Sequence, residues 1–249
     1  MAPSSALAAD RDPAGVVRVR APNPSPLTLD GTNTYVAAGW VVDPGPADER
    51  HLEAVLDAAG GGIDGVLLTH SHLDHSEGAS ALAERAGGVP VVLPAGGEET
   101  GPFRALATPG HAPDHVCLLL GRLCFCGDTV MGEGSVLIDP GEGSLSAYLD
   151  SLRALHRLDL ELLCPGHGPY VRDPRAKLDE YIEHRLERER LLLAALDGGA
   201  RSEEELLDRA WADAPAALRP AAALTLRAHL AKLGEEGRLP ADLDPALAG

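Results

Sequence analysis

Six residues, His70-Ser71-His72-Leu73-Asp74-His75, hold three imidazoles and a carboxylate, and they follow directly on the apolar run Gly65-Val66-Leu67-Leu68-Thr69. That run reads as a buried strand, so the polar cluster begins where a strand ends, the place where open α/β sheets put their ligands. In extended backbone alternate side chains share a face, so His70 and His72 point the same way and can share one ion. A turn at Asp74-His75 offers both side chains to a second. Imidazole and carboxylate suit a borderline cation such as zinc, and the absence of cysteine from the stretch argues against a purely structural thiolate site. A single histidine is usually a surface or core residue. Here three further positions complete the set: His111 in Thr108-Pro109-Gly110-His111, Asp128 in Cys126-Gly127-Asp128-Thr129, and His167 in Pro165-Gly166-His167-Gly168. Each is flanked by glycine, which permits the sharp turn that swings a side chain toward a common centre.

The rest of the chain alternates strand and helix patterns around these positions. Val16 to Arg20, Thr34 to Ala38 and Trp40 to Asp43 read as short strands, with AAGW as a hairpin connection, so an antiparallel sheet opens the fold. Asp48 to Ala59 has a helical period ended by Gly60-Gly61-Gly62. Glu77 to Ala86 resumes as a helix; strands follow near Val91, at Arg104 to Ala107, Val116 to Leu120 and Leu123 to Cys126. A helix over Leu145 to Leu155 and a strand at Leu162 to Cys164 complete this part. Asp173-Pro174 starts a long helix, with Asp as N-cap and Pro at the first helical position, that runs to about Leu196. Asp197-Gly198-Gly199 closes it and marks the domain boundary, giving a domain of residues 1–197 and a module of 198–249. The module has a capping box at Ser202 and Glu205, a helix over about Pro220 to Leu233, and a segment, Gly234 to Leu239, expected to turn into a strand; this suits a small winged-helix-like unit.

The 249 residues carry a formal net charge of −17, which repels a polyanion at long range and counts against broad nucleic-acid binding. A local basic patch is compatible with that, because screening confines surface fields to about 8–10 Å. Between Ala214 and Gly234 the basics Arg219, Arg227 and Lys232 occur with no acid, so the second helix of the module is a candidate cation stripe, with an ordinary solvated face as the alternative. No apolar run is long enough to span a bilayer. Met1 to Gly15 has no secretory h-region and reads as a loosely docked or disordered leader. Cys117, Cys124, Cys126 and Cys164 lie in apolar segments without zinc or redox spacing, as buried thiols of a reducing, cytoplasmic compartment.

The signature H-x-H-x-D-H, met by His70 to His75, resembles the metallo-β-lactamase superfamily. The resemblance implies a four-layer αββα sandwich with a site at the edge of its two sheets. It also implies that His70, His72 and His111 bind one metal, Asp74, His75 and His167 a second, and that Asp128 bridges them. The ions expected are two zincs, with manganese or iron as alternatives. A bridging hydroxide, formed because two dications acidify a shared water to near neutrality, is then the nucleophile of a hydrolase, and Asp74 orients it or takes its proton. Asp128 stands where true β-lactamases carry cysteine or serine, so the resemblance points to the glyoxalase II, thioesterase and phosphodiesterase branches. Asp43, in Val41-Val42-Asp43-Pro44-Gly45, resembles the aspartate that supports the ligand loops; a plain turn-forming Asp is the competing reading.

GTNTY, VVDPG, THSHLDHSEG, TPGHAPDH, FCGDTVMGEG, SLSAYLDSL, CPGHGPYV, YIEHRLERE and LAKLGEEGRL together resemble the β-lactamase-like protein 2 branch over almost the whole chain. This implies cleavage of single-stranded RNA as the leading substrate expectation, ahead of acyl-CoA, acyl-carrier-protein or glyoxalase II-like thioesters and small esters. A non-catalytic, metal-stabilised binding protein is the third class. His115 is expected behind the ligands, and His51, His156 and His229 on helix surfaces. Arg185 is either a substrate contact or one half of an exposed i,i+4 helix pair.

Overall fold

The computed structural model describes residues 11–247. Two five-stranded mixed sheets form its centre. The first runs β1 (Val16–Arg20), β2 (Asn33–Ala37), β3 (Trp40–Val42), β4 (Gly65–Leu67), β5 (Val91–Val92). Its β1–β2 and β2–β3 pairs are antiparallel; β3–β4 and β4–β5 are parallel. The second runs β10 (Leu162–Pro165), β9 (Leu123–Gly127), β8 (Val116–Leu120), β7 (Phe103–Ala107), β6 (Glu99–Thr100), antiparallel except for the β9–β10 pair. The two-residue β6 pairs at the sheet edge and has no sequence pattern long enough to announce it.

The pleat sorts each strand between two cores. Tyr35, Val42, Leu67, Leu118, Phe125 and Cys164 pack between the sheets. Their neighbours Val36, Val41, Val66 and Leu68 face α1 (Glu49–Ala59) and α3 (Ala79–Arg85), while Cys117, Leu119, Cys124 and Cys126 face α4 (Leu145–His156) and α5 (Pro174–Asp197). Strands buried on both faces need near-continuous apolar sequence, which VCLLL and LCFC supply. The result is the expected αββα sandwich. All four cysteines are buried free thiols.

Local sequence explains the element ends. The Asp48 carboxylate accepts from His51 N at 2.8 Å to cap α1, and Gly60 closes it at φ +70°. Ala38 and Gly39 both have positive φ, the twist a two-residue β2–β3 hairpin requires. In the C-terminal module, α6 (Glu203–Ala210) begins with the capping box Ser202/Glu205, and α7 (Arg219–Glu235) packs Leu226, Leu230 and Leu233 on Leu206 and Trp211. Leu192, Ala195 and Leu196 of α5 join that same cluster.

Three expectations change. Residues 234–239 form no strand: α7 continues through Glu235, the chain turns at Gly237, and Leu239 folds back onto the module's core. His51 and His229 are buried, 3% and 1% exposed, because each lies on the inward side of its helix; His156 is half-buried. The leader's first ten residues lie outside the described range, but Asp12 is docked, accepting from the Tyr170 hydroxyl at 2.8 Å.

Candidate metal centre

All seven sequence-derived positions converge. His70 and His72 follow β4; Asp74 and His75 sit in the single helical turn α2 (Leu73–Ser76); His111, Asp128 and His167 follow β7, β9 and β10. Their donor atoms form three overlapping groups, each within 4.8 Å: His70, His72, His111; His70, His75, Asp128; and Asp74, His75, His167. Asp128 faces both ends, with Oδ2 3.6 Å from His111 Nε2 and Oδ1 3.4 Å from His75 Nε2 and 3.5 Å from His167 Nε2.

Glycine is required at two of the turns. Gly127 has φ +43°, and a Cβ there would strike Thr69 Oγ1 and His115 Nε2. A Cβ on Gly166 would lie 2.5 Å from His75 Cε1 and 2.7 Å from Asp128 Oδ1.

The outer nitrogens of the imidazoles are tied to the fold, which fixes their tautomers. Asp43, held at the strained φ of +50°, accepts from Thr69 N (2.8 Å), Thr69 Oγ1 (2.7 Å) and His75 Nδ1 (2.9 Å). Because the Thr69 hydroxyl proton goes to Asp43, Thr69 Oγ1 accepts from His70 Nδ1 at 3.0 Å. His111 Nδ1 donates to the Leu137 carbonyl at 2.9 Å, His72 Nε2 to Glu142 at 3.1 Å, and His167 Nδ1 points at the Gly31 carbonyl, 3.5 Å away. This leaves His72 Nδ1 and His111 Nε2, two lone-pair nitrogens, 3.0 Å apart. That is repulsive until a cation lies against both. His70 Nε2, His75 Nε2 and Asp128 Oδ1 are buried with no partner. Unsatisfied buried polar atoms cost roughly 1–3 kcal/mol each, so this donor set fits cations and fits little else. Five imidazoles and two carboxylates suit a dication pair of the borderline kind.

Electrostatics agree. Burial alone would lower His75 and His167, yet the adjacent carboxylates outweigh it, holding His75 well above its ordinary range and His167 at about 9. Burial would raise Asp128, but His167 and His75 keep it well below the usual carboxylate range. Behind the cluster, burial and then His111 push His115 down to about 3. A neutral His115 accepts from Asp128 N at 3.1 Å and so positions that aspartate. Asn33 Nδ2 (3.0 Å) and the Tyr35 hydroxyl (2.8 Å) both donate to the Pro165 carbonyl, clamping the loop that carries His167; this is what GTNTY does. Glu142 escaped sequence reasoning because an acid in a Gly-rich loop seventy residues from His72 carries no local signal. Thr69 stood inside the motif and was readable.

A cavity of about 620 Å³ opens from this cluster and extends to the C-terminal module; Leu27, Leu29, Met131, Val136, Trp211 and Leu218 line it. The cations anticipated as a stripe are paired, Arg219 with Asp208 (2.5 Å), Arg227 with Glu203 (2.7 Å), and Lys232 with Glu189 (2.7 Å) of α5 and with Glu236 (2.5 Å) at the end of its own helix. Arg185 is buried rather than on an exposed face, and the Glu189 one turn on binds Lys232 and Arg238 instead of it.

A two-sheet αββα sandwich whose strand ends present H-x-H-x-D-H with three more His and Asp donors defines a class. The chain belongs to the metallo-β-lactamase superfamily: that family's model matches residues 27–106 and 87–167, and a model described as beta-lactamase associated winged helix domain matches residues 202–242. Within it, the chain is 32% identical to the "Beta-lactamase-like protein 2 homolog" of Drosophila melanogaster, over 90% of this chain and 89% of the relative. It is also 32% identical to the "Atrochrysone carboxyl ACP thioesterase" of Aspergillus fumigatus, over 81% of this chain and 75% of the relative. A crystal structure of a metallo-beta-lactamase family protein from Thermus thermophilus superposes with TM-score 0.70 at 27% identity, covering 90% of this chain and 94% of that one. The chain is a metal-dependent hydrolase.

Proposed function

We propose that this hydrolase cleaves thioesters or esters with an apolar acyl part, using two divalent ions, zinc with manganese or iron as alternatives, held by His70, His72, Asp74, His75, His111, Asp128 and His167. The observation that carries the substrate class is the apolar cavity leading from the donor cluster. The thioesterase activity named for the Aspergillus fumigatus relative supports it. A phosphodiester chain such as single-stranded RNA instead needs a run of available cations, and Arg219, Arg227 and Lys232 are spent on acids of the fold.

Two divalent ions, when bound, supply an acidified water and Lewis-acid polarisation of the scissile carbonyl. The chain's own groups do the rest. Asp74 lines the cavity with its carboxylate one-third exposed. Burial would raise it, but hydrogen bonding to His167 and the charge of His75 hold it below the ordinary value, so it is ionised and able to accept a proton from an attacking water. Asp43 and Thr69 keep His70 and His75 in the tautomer that offers Nε2 inward. Residues 1–197 form the catalytic unit, and the module of 198–249 supplies the far wall of the cavity through Trp211, Leu218 and Ala222.

The test is a parallel assay of metal-loaded protein on acyl-CoA thioesters of increasing chain length and on single-stranded RNA oligonucleotides. Thioester turnover that rises with acyl length, disappears with chelator and returns with added metal is the expected result. Cleavage of RNA without turnover of any ester or thioester overturns the substrate assignment.

A further inference from the structure

Arg185 is 2% exposed, in the middle of α5, and forms no ion pair with any carboxylate of the described residues. Acids on its helix and along the cavity wall leave it unpaired: Glu180 is engaged with Lys177, Glu187 with Arg190, Glu189 with Lys232 and Arg238, and Asp213 with Arg188, while Glu183 on α5 and Glu133 on the cavity wall form no ion pair with it. Its guanidinium donates to the Val136 carbonyl and faces the Tyr148 ring at 5.3 Å; the Tyr148 hydroxyl is itself committed to the Thr129 carbonyl. Arg185 Nε is buried and without a partner.

The imidazoles beside it are kept neutral and supply no counter-charge. Burial and then Arg185 push His184 down to about 4 and His229 well below the ordinary imidazole range, so both imidazoles lie in its field. An interior cation with no counter-charge is strongly unfavourable, since low dielectric penalises the ion and nothing repays it. Arg185 nonetheless lines the same cavity as His72, Asp74, His111, Asp128 and His167. The missing negative charge therefore has a place from which to come.

We propose that Arg185 anchors an anionic group of the ligand that fills this cavity, a carboxylate or phosphate borne on an apolar body lying against Met131, Val136, Trp211 and Ala222. The inference rests on the cavity being the substrate site, as in the preceding section, and makes that substrate an amphipathic anion. Guanidinium is suited to the role because its planar fork pairs with both anions in two-point geometry.

The experiment measures binding to the metal-loaded protein by calorimetry, with decanoate, decyl phosphate and neutral decanamide as probes, in wild type, Arg185→Met and Arg185→Lys, with metal content checked in each. At least one anion is expected to bind Arg185→Met about ten- to a hundredfold more weakly than wild type, with decanamide unchanged. Which anion shows the loss separates carboxylate from phosphate. Arg185→Lys keeps the charge without the fork and falls between. Unliganded Arg185→Met melts no lower than wild type, because an uncompensated buried charge has been removed; a purely structural arginine would give the opposite. Anion affinity that is the same in Arg185→Met as in wild type overturns the proposal, as does an Arg185→Met that fails to fold while folded Arg185→Lys binds anions and amide alike. Binding that depends on Arg185 in a protein that turns over no thioester keeps the anchor and removes the substrate assignment; turnover with Arg185-independent binding does the reverse.

Discussion

The strand-end loops and the C-terminal module solve opposite electrostatic problems. In the loops, the fold satisfies the outer nitrogens of the imidazoles and leaves the inner ones bare: His75 leans on Asp43, His70 on Thr69, His111 on the Leu137 carbonyl, while His70 Nε2 and His75 Nε2 have no partner. In the module, Arg219, Arg227 and Lys232 are all neutralised within the fold. The difference lies in where the unmatched groups stand: the donor cluster and Arg185 open on one cavity, whereas the equally unpartnered His229 does not line it. A chain of net charge −17 readily supplies acids to its surface cations, yet the buried donor set and Arg185 are left unmatched.

Removing the metals tests the loop side most severely. Chelation is expected to abolish hydrolysis, with recovery on adding back zinc, manganese or iron(II), read as kcat/KM against metal content; full activity in verified metal-free protein breaks the assignment. Asp43→Asn comes next. It keeps the shape of the side chain but weakens the acceptor behind His75 and Thr69, and metal affinity or kcat/KM should fall about 10- to 100-fold.

The module is probed by acid. His229 is 1% exposed with neither ring nitrogen partnered, and burial, then Arg185 and Lys232, hold it well below its ordinary value. The folded state therefore takes up this proton less readily than the unfolded one. Its contribution to stability is complete above the unfolded value of about 6.5 and is lost as pH falls below that. Wild type should lose melting temperature between neutrality and pH 5 more steeply than His229→Phe, and equal slopes would mean that His229 takes up its proton equally in both states. The smallest effect belongs to the neutralised stripe. Arg219→Ala and Arg227→Ala should each change unfolding free energy by less than about 1 kcal/mol and leave turnover untouched, as half-exposed ion pairs do. A large loss of turnover on RNA in either variant would restore those cations as substrate contacts.

Where sequence reading succeeds, the physics is local. Capping at Asp173 and Ser202 marks helix starts, and apolar runs at Val116–Leu120 and Leu123–Gly127 mark strands buried on both faces. Where it goes astray, the deciding partner is distant. His51 reads as a surface residue because nothing in its own helix shows that Thr34 Oγ1 lies 2.9 Å from its Nε2. Gly234–Leu239 reads as extended, but contact of Leu239 with the module's core holds a turn there instead. Arg185 reads first as an exposed i,i+4 partner of Glu189, a pairing that Lys232 and Arg238 forestall.

By itself, then, the amino-acid sequence determined the donor types, their order along the chain and their position at strand ends, because glycine turns and strand periodicity act over a few residues. Only the tertiary structure decided that the seven donors meet, that Glu142 stands behind them, that the cations of α7 are already paired, and that Arg185 is buried without a counter-charge. Those facts depend on side chains brought together from residues far apart in the chain, and electrostatic balance in an interior is set by such neighbours rather than by spacing.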